Sequence, residues 1–257
     1  MGSATELRLI ALPELPRIVA GDDLAQLTAD ALHRCALQLQ ADDVLVFAQK
    51  VVSKAEGREV DLAKVIPSAR ALELAQTVQK DARLVELILR ESRRIVRAAK
   101  DVLIVEHRLG LTMANAGIDQ SNVADPRHGE LALLLPADPD ASAARLRKGL
   151  GLLTGCEPGI VISDSFGRPW RIGTVGVAIG CAGLAATVDL RGRADLYGRP
   201  LRITVVGHAD EIAAAASVVM GQSDEGRPVV LVRGLTSTGP SQAAAALIRP
   251  SQQDLFR

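Results

Sequence analysis

Short β-branched or apolar runs recur along the chain at Leu7–Ala11, Val44–Ala48, Val102–Val105, Leu131–Leu135, Ile160–Ile162, Leu201–Val206 and Val229–Val232. Runs of this length, bounded by turn residues, predict buried strands. Between them the apolar positions shift to helical spacing over Leu24–Leu39, Ala69–Ala98, Ala141–Leu150 and Asp210–Met220. In the second of these, Leu72, Leu74, Val78, Leu84, Leu87, Ile88 and Ile95 oppose Lys80, Arg83, Glu86, Arg90 and Arg94. That pattern predicts one long amphipathic helix packed on a sheet. Strand and helix alternate throughout, so the expected fold class is α/β in the broad sense, a mixed α+β chain. One unit is expected over residues 1–235, undivided or made of two lobes. The linker-like Leu235-Thr236-Ser237-Thr238-Gly239-Pro240 opens a peripheral C-terminal linker and tail over 236–257.

Composition narrows the partners. Apolar residues make up 48% of the 257 positions, enough for a substantial core. Thirty basic residues balance thirty acidic ones, so no whole-molecule field draws the chain to nucleic acid or to an anionic membrane. Aromatic residues are 2% of the chain, too few for base-stacking platforms. Cys35, Cys156 and Cys181 lie far apart and cannot all pair, which points to a reducing compartment. The amino terminus has no signal-peptide pattern, and no stretch reaches the roughly 18 apolar residues of a membrane span. The expectation is a cytoplasmic protein without nucleic-acid or membrane partners.

Four polar islands interrupt the apolar runs, and any anionic ligand must be held by such local groups. Gln49–Arg58 follows a predicted strand and carries Lys50 and Lys54 four residues apart, suited to phosphate oxygens; a solvated polar turn is the competing reading. Gly110–Val123 offers Asp119 as a hard oxygen ligand and Asn122 as a two-way hydrogen-bonder, although both types also favour turns. Val161–Arg171 sets Asp164 and Ser165 past an apolar strand, where they suit magnesium or manganese. Arg168 and Arg171 are then available for phosphate or carboxylate, and Trp170 is expected to pack rather than stack. Val219–Pro228 supplies Gln222, Ser223, Asp224 and Glu225 after Gly221, which also fits a helix C-cap. A standard phosphate-binding P-loop, a dinucleotide fingerprint and paired histidine ligands are all missing from the sequence.

In this order, Lys50-Val-Val-Ser-Lys-Ala-Glu-Gly-Arg58, Arg108-Leu-Gly-Leu111, Ala116-Gly-Ile-Asp-Gln-Ser-Asn-Val123, Ile162-Ser-Asp-Ser-Phe-Gly-Arg168, Asp195-Leu-Tyr-Gly198 and Ala209-Asp-Glu-Ile-Ala-Ala-Ala-Ala216 resemble the F420-0:gamma-glutamyl ligase family from about Leu7 to Gly234. The resemblance implies a family-specific α/β fold built as an intertwined homodimer. It implies a ligase that uses GTP and magnesium or manganese, two ions per site, to join L-glutamate to F420-0. Further glutamates follow through gamma linkages. By matching position, Asp119 and Asp164 correspond to ligands of one metal, and Ser165 and Gln222 to groups at a second. Leu15, Pro16, Arg17, Ile18, Gln49, Lys54, Asn122, Met220, Gly221, Gln222, Ser223, Asp224, Glu225 and Gly226 correspond to GTP contacts. Lys54, Asp119 and Asp164 are the expected catalytic set. Where family members often carry Thr-Ser before the first lysine, this chain has Ala48-Gln49, so the Gln49 amide stands where a hydroxyl would. The same acids suit two other classes: a metal-dependent phosphohydrolase or phosphotransferase, and a non-catalytic nucleotide-binding module.

Overall fold

A computed structural model of the chain describes residues 5–121, 123, 130–236 and 239–255. Strand β1 (Arg8–Ala11) leads to α1 (Leu24–Arg34), whose first turn is capped by the Asp23 carboxylate accepting from the amides of Ala25 and Gln26 at 3.0 and 3.1 Å. The helix stops five residues before the predicted Leu39. Ala36 turns left-handed (φ 52°) and Leu37 N–H returns to the Leu32 carbonyl at 2.9 Å, a Schellman closure built without glycine. Strand β2 (Val44–Ala48) then passes directly into α2 (Gln49–Ala55), which is followed by β3 (Glu59–Asp61).

The long predicted helix over Ala69–Ala98 is three elements. Helix α3 (Ala69–Val78) ends where Gln79 turns left-handed (φ 53°), and α4 (Ala82–Arg90) restarts under an Asp81 cap that accepts from Arg83 N–H at 2.8 Å. Residues Ser92–Ala99 form β4. Both helices bury the same apolar cluster, Leu74, Val78, Leu84, Leu87 and Ile88, so the periodicity runs through the break and conceals it. Strands β5 (Val102–His107) and β6 (Thr112–Ala114) complete a three-stranded sheet with β4. With α3 and α4 they make the second lobe. It is joined to the first by the antiparallel pairing of β3 with β7 (Leu131–Leu133).

Helix α5 (Pro139–Thr154) starts on an Asp138 cap with proline in its first turn. It is followed by a long hairpin of β8 (Gly159–Arg168) and β9 (Arg171–Ala182). Then come the short pair β10 (Val188–Asp189) and β11 (Val205–Val206), α6 (His208–Met220) and β12 (Val229–Arg233). Only the last two residues of the predicted Leu201–Val206 run are strand.

The central sheet has the order β1-β12-β2-β8-β9, with β2 and β8 parallel and the other neighbours antiparallel. Alternation along its strands divides the core into two faces. Leu45, Phe47, Ile160, Ile162 and Leu231 meet α1 and α5 through Leu24, Leu32, Leu146 and Leu150. Val46, Val161, Val230 and Val232 meet Ala209, Ile212, Ala213 and Ala216 of α6. That helix lies close on the sheet because β9 offers Gly176, where a Cβ would overlap the Ala213 carbonyl. The mixed α/β expectation holds, with helices on both faces of one sheet and a smaller helix-and-sheet lobe beside it. Among the described residues no helix is long and apolar enough to cross a membrane.

The C-terminal segment lies against this body. Gly183 N–H donates to Ser241 Oγ at 2.9 Å, Thr187 N–H to Gln242 Oε1 at 2.8 Å, and Ala244 N–H to Asp140 Oδ1 at 2.7 Å. Ala244 is buried with the α6 core.

Candidate functional site

Strand direction brings four separate stretches of sequence to one edge of the central sheet. Because β2 and β8 are parallel and in register (Ala48 opposite Ser163), α2 and the Asp164-Ser165 pair emerge side by side at their carboxyl ends. Strand β12 is antiparallel to β2, so its start lies at that edge, with the Pro228 carbonyl accepting from Ala48 N–H at 2.8 Å. The Met220–Gly226 loop therefore arrives there. Strand β1, antiparallel to β12, ends at that edge as well and delivers Leu15–Ile18.

These stretches line one open cavity of about 1120 Å³. Leu15, Pro16, Arg17, Ile18, Gln49, Lys54, Asp119, Asp164, Ser165 and all of Met220, Gly221, Gln222, Ser223, Asp224, Glu225 and Gly226 are on its wall. Asn122 lies outside the described residues. The cavity also gathers Lys50, Glu59, Ser121, Thr174, Ser217 and Arg227. Of these, only Lys50 stood out in the sequence as a phosphate group. Glu59 directly follows the first island, while Ser121 and Arg227 lie inside the second and fourth, which is the one signal that could have marked them.

The first island is a helix rather than a turn, and that changes what its lysines do. Spaced i,i+4 on α2, Lys50 and Lys54 share a helical face. Lys50 Nζ sits 2.6 Å from Asp119 Oδ2 and donates to Ser121 Oγ at 3.0 Å. Asp119 Oδ1 accepts from Ser121 N–H and Oγ–H at 2.7 and 2.8 Å. Burial pushes the Asp119 carboxyl upward, but the hydrogen bonds from Lys50 and Ser121 outweigh it and hold the group below the usual carboxylate range. Lys54 is moved below the ordinary lysine value, first by burial and then by the charges of Lys50 and Arg17, with Glu59 acting in the opposite direction. Gln49 is buried, and its Oε1 accepts from Ser53 Oγ at 2.9 Å, which leaves its amide nitrogen as the donor.

Asp164 behaves differently from Asp119. Burial, reinforced by the negative charge of Asp119, raises its carboxyl to about 6, although Ser165 N–H donates to Oδ1 at 2.8 Å. Asp164 thus feels the negative charge of Asp119, while the Lys50 ammonium pairs with Asp119. Ser165 Oγ donates to Gln222 Oε1 at 2.7 Å, so two groups 57 residues apart in sequence are in direct contact. Gly221 closes α6 with φ 82° and ψ 176°, a conformation open essentially to glycine alone, and the Glu225 carboxylate folds over it to accept from Ser223 N–H at 2.8 Å.

Among the described residues no group of three His, Cys, Asp or Glu side chains is assembled. The donor set is instead two carboxylates, one hydroxyl and one amide oxygen. That suits a hard cation that takes its remaining ligands from water and substrate phosphates, as magnesium does, rather than one held in an all-protein cage. The arginines expected near the Asp164 motif are elsewhere. Arg168 and Arg171 flank the tip of the β8–β9 hairpin, outside the cavity wall, and Trp170 between them is 81% exposed rather than packed.

Comparison with known proteins identifies the family. The family model described as F420-0:Gamma-glutamyl ligase matches residues 13–234. The Coenzyme F420:L-glutamate ligase of Methanothermobacter thermautotrophicus is 46% identical over 256 residues, covering 98% of this chain and 99% of that protein. The protein of the same name from Methanopyrus kandleri is 46% identical over 262 residues and covers both chains fully. That of Archaeoglobus fulgidus is 43% identical over 95% of this chain and 93% of its own length. The chain belongs to the F420-0:gamma-glutamyl ligase family.

Proposed function

We propose that this protein joins L-glutamate to coenzyme F420-0, and adds further glutamates through gamma linkages, at the expense of GTP. The observation that carries the reading is the convergence of Lys50, Lys54, Asp119, Asp164, Ser165 and Gln222 on one cavity, in a chain whose full-length relatives are named for this ligation. A carboxylate and an amine do not condense at useful rates in water. The acceptor carboxylate oxygen therefore attacks the γ-phosphorus of GTP, the bond to the β-phosphate oxygen breaks, and GDP leaves. The glutamate amine then attacks the acyl carbon, phosphate departs, and the amine proton is lost.

Asp119 and Asp164 would hold one magnesium or manganese ion, and Ser165 and Gln222 would contribute to a second. When bound, such ions neutralise phosphate charge and align an in-line displacement. The chain's own groups do the rest. Lys54, and Lys50 beside Asp119, present positive charge to the phosphates. Arg17 and the Met220–Gly226 loop border the nucleotide, and the apolar Leu15, Pro16 and Ile18 exclude water from its side. The reading predicts release of GDP and phosphate only when F420-0 and glutamate are both present. Hydrolysis indifferent to both would assign the site to a phosphohydrolase, and nucleotide binding without turnover under magnesium or manganese would make it a binding module.

The unit is read as a homodimer. Supporting this are large apolar side chains left on the surface, Trp170 and Ile172 at the hairpin tip and Leu196, Tyr197 and Ile203 between β10 and β11. Sedimentation as a 27.1 kDa particle at micromolar concentration would exclude it.

A further inference from the structure

Of the motifs that carry the family resemblance, one ends in Arg58 and another begins at Arg108, and neither arginine has a part in the chemistry above. They meet on a residue that none of those motifs contains. Glu91, at the end of α4, accepts on its Oε2 from Arg58 Nη2 at 3.2 Å and from Arg108 Nε at 2.9 Å. His107 Nε2 lies 3.5 Å from the same oxygen. The imidazole is fully buried, and its Nδ1 accepts from Leu109 N–H at 3.0 Å, so the proton is assigned to Nε2, facing Glu91. Burial works against the Glu91 charge, but the nearby His107 imidazole, the hydrogen bond from Arg108 and the two guanidinium charges reverse this and bring the carboxyl to about 2. The Glu91 and His107 side of the cluster is largely buried, where a misplaced donor is costly, while Arg108 reaches solvent.

The other side of Arg58 reaches toward the site. Its N–H donates to the Ser53 carbonyl at 2.9 Å, which fastens it to the end of α2. Its carbonyl accepts from Leu134 N–H at 3.1 Å and its Nε donates to the Leu135 carbonyl at 2.9 Å, so it grips two successive residues just past β7. The adjacent Leu133 exchanges both backbone hydrogen bonds with Asp119, at 3.0 and 2.8 Å. A continuous chain of bonds thus runs from Glu91 through Arg58 to the end of β7, whose Leu133 pairs with Asp119, and from Arg58 to the helix that carries Lys50 and Lys54.

From this geometry we infer that Arg58, clamped by Glu91, is a positioning residue that sets Asp119 of the second lobe at its working distance from the α2 lysines and Asp164 of the first. The planar fork is needed because Nε and Nη2 serve the Leu135 carbonyl and Glu91 at once; a lysine ammonium on a flexible stem cannot hold both directions. Glu91 is needed because it fixes the fork. This role rests on Asp119 being a cation ligand.

The test is Mn²⁺ binding to the full chain, followed by the paramagnetic resonance signal of free Mn²⁺ and independent of turnover. Supporting groups of this kind alter metal affinity by roughly 10- to 100-fold. Arg58→Lys is expected to weaken binding about tenfold, and Glu91→Gln to do the same through loss of the clamp, with activity lost at low Mn²⁺ returning as Mn²⁺ is raised. A merely structural lesion would lower activity equally at every Mn²⁺ concentration, and that outcome overturns the inference. So does wild-type Mn²⁺ affinity in Arg58→Lys. If that variant does not fold, Glu91→Gln is judged by the same criterion. Asp119→Asn separates the two levels: wild-type affinity there defeats the ligand role of Asp119 and the inference with it, whereas weakened affinity there with unchanged Arg58→Lys defeats the positioning role alone.

Discussion

Asp164→Asn and Asp119→Asn are each expected to lower kcat/KM for the nucleotide by about 10³-fold or more, the scale on which removing one preorganised charge from a phosphoryl-transfer site acts. The amide keeps the volume and one acceptor oxygen but removes the charge that a divalent cation requires. Their consequences for folding differ. Asp164 lies half-buried in the cavity wall and its carboxyl is raised to about 6 by desolvation there and by Asp119, so replacing it relieves a desolvation cost and the thermal midpoint should hold or rise. Asp119 is the partner of Lys50 at 2.6 Å in a half-exposed setting, so its loss leaves a cation that water can reach and costs little stability. Steady-state kinetics paired with thermal melts reads both effects. Turnover near that of the wild type in either variant would remove these carboxylates from the mechanism.

The second large effect is expected at Gly221→Ala, which should reduce kcat/KM for the nucleotide by about 10²-fold with only a small loss of global stability. The φ of 82° and ψ of 176° place the backbone where an L side chain pays roughly 1–3 kcal/mol, and a Cβ would overlap the Glu225 carboxylate. The Glu225 carboxylate can swing aside, which costs its hydrogen bond to Ser223, and the backbone strain at residue 221 is expected to shift the loop and carry Gln222 away from Ser165. Because Gln222–Gly226 are exposed and, unlike Met220, take no part in the apolar clusters of the sheet, the damage stays local. Unchanged kinetics in Gly221→Ala would show that this backbone geometry does not shape the site.

Apolar patterning made the sheet largely legible. Val44–Ala48 and Val229–Arg233 are buried on both faces and read as continuous apolar runs, and the prediction is nearly residue for residue. The break at Gln79 was hidden because the helices either side of it bury one common cluster, which preserves the helical period; Asp81, a cap inside an apparent helix, was the local sign. The β8–β9 hairpin extends well beyond its apolar core into Asp164–Arg168, where alternating polarity is masked by functional residues. Within the candidate site, residue types were legible and their meeting was not. That Ser165 touches Gln222 follows from β2 and β8 being parallel and β12 antiparallel to β2, a property of strand order rather than of local spacing. Arg58 and Arg108 were legible only as motif ends, since Glu91, which gives them a role, caps the end of α4 beside a helical face that looks merely solvated.

The account stands most directly on the product. After incubation of the purified protein with F420-0, L-glutamate, GTP and Mn²⁺, mass spectrometry should find the acceptor increased by one or more glutamyl residues, with GDP and phosphate formed in step and neither appearing when glutamate is omitted. An acceptor of unchanged mass beside continuing GTP hydrolysis would contradict it.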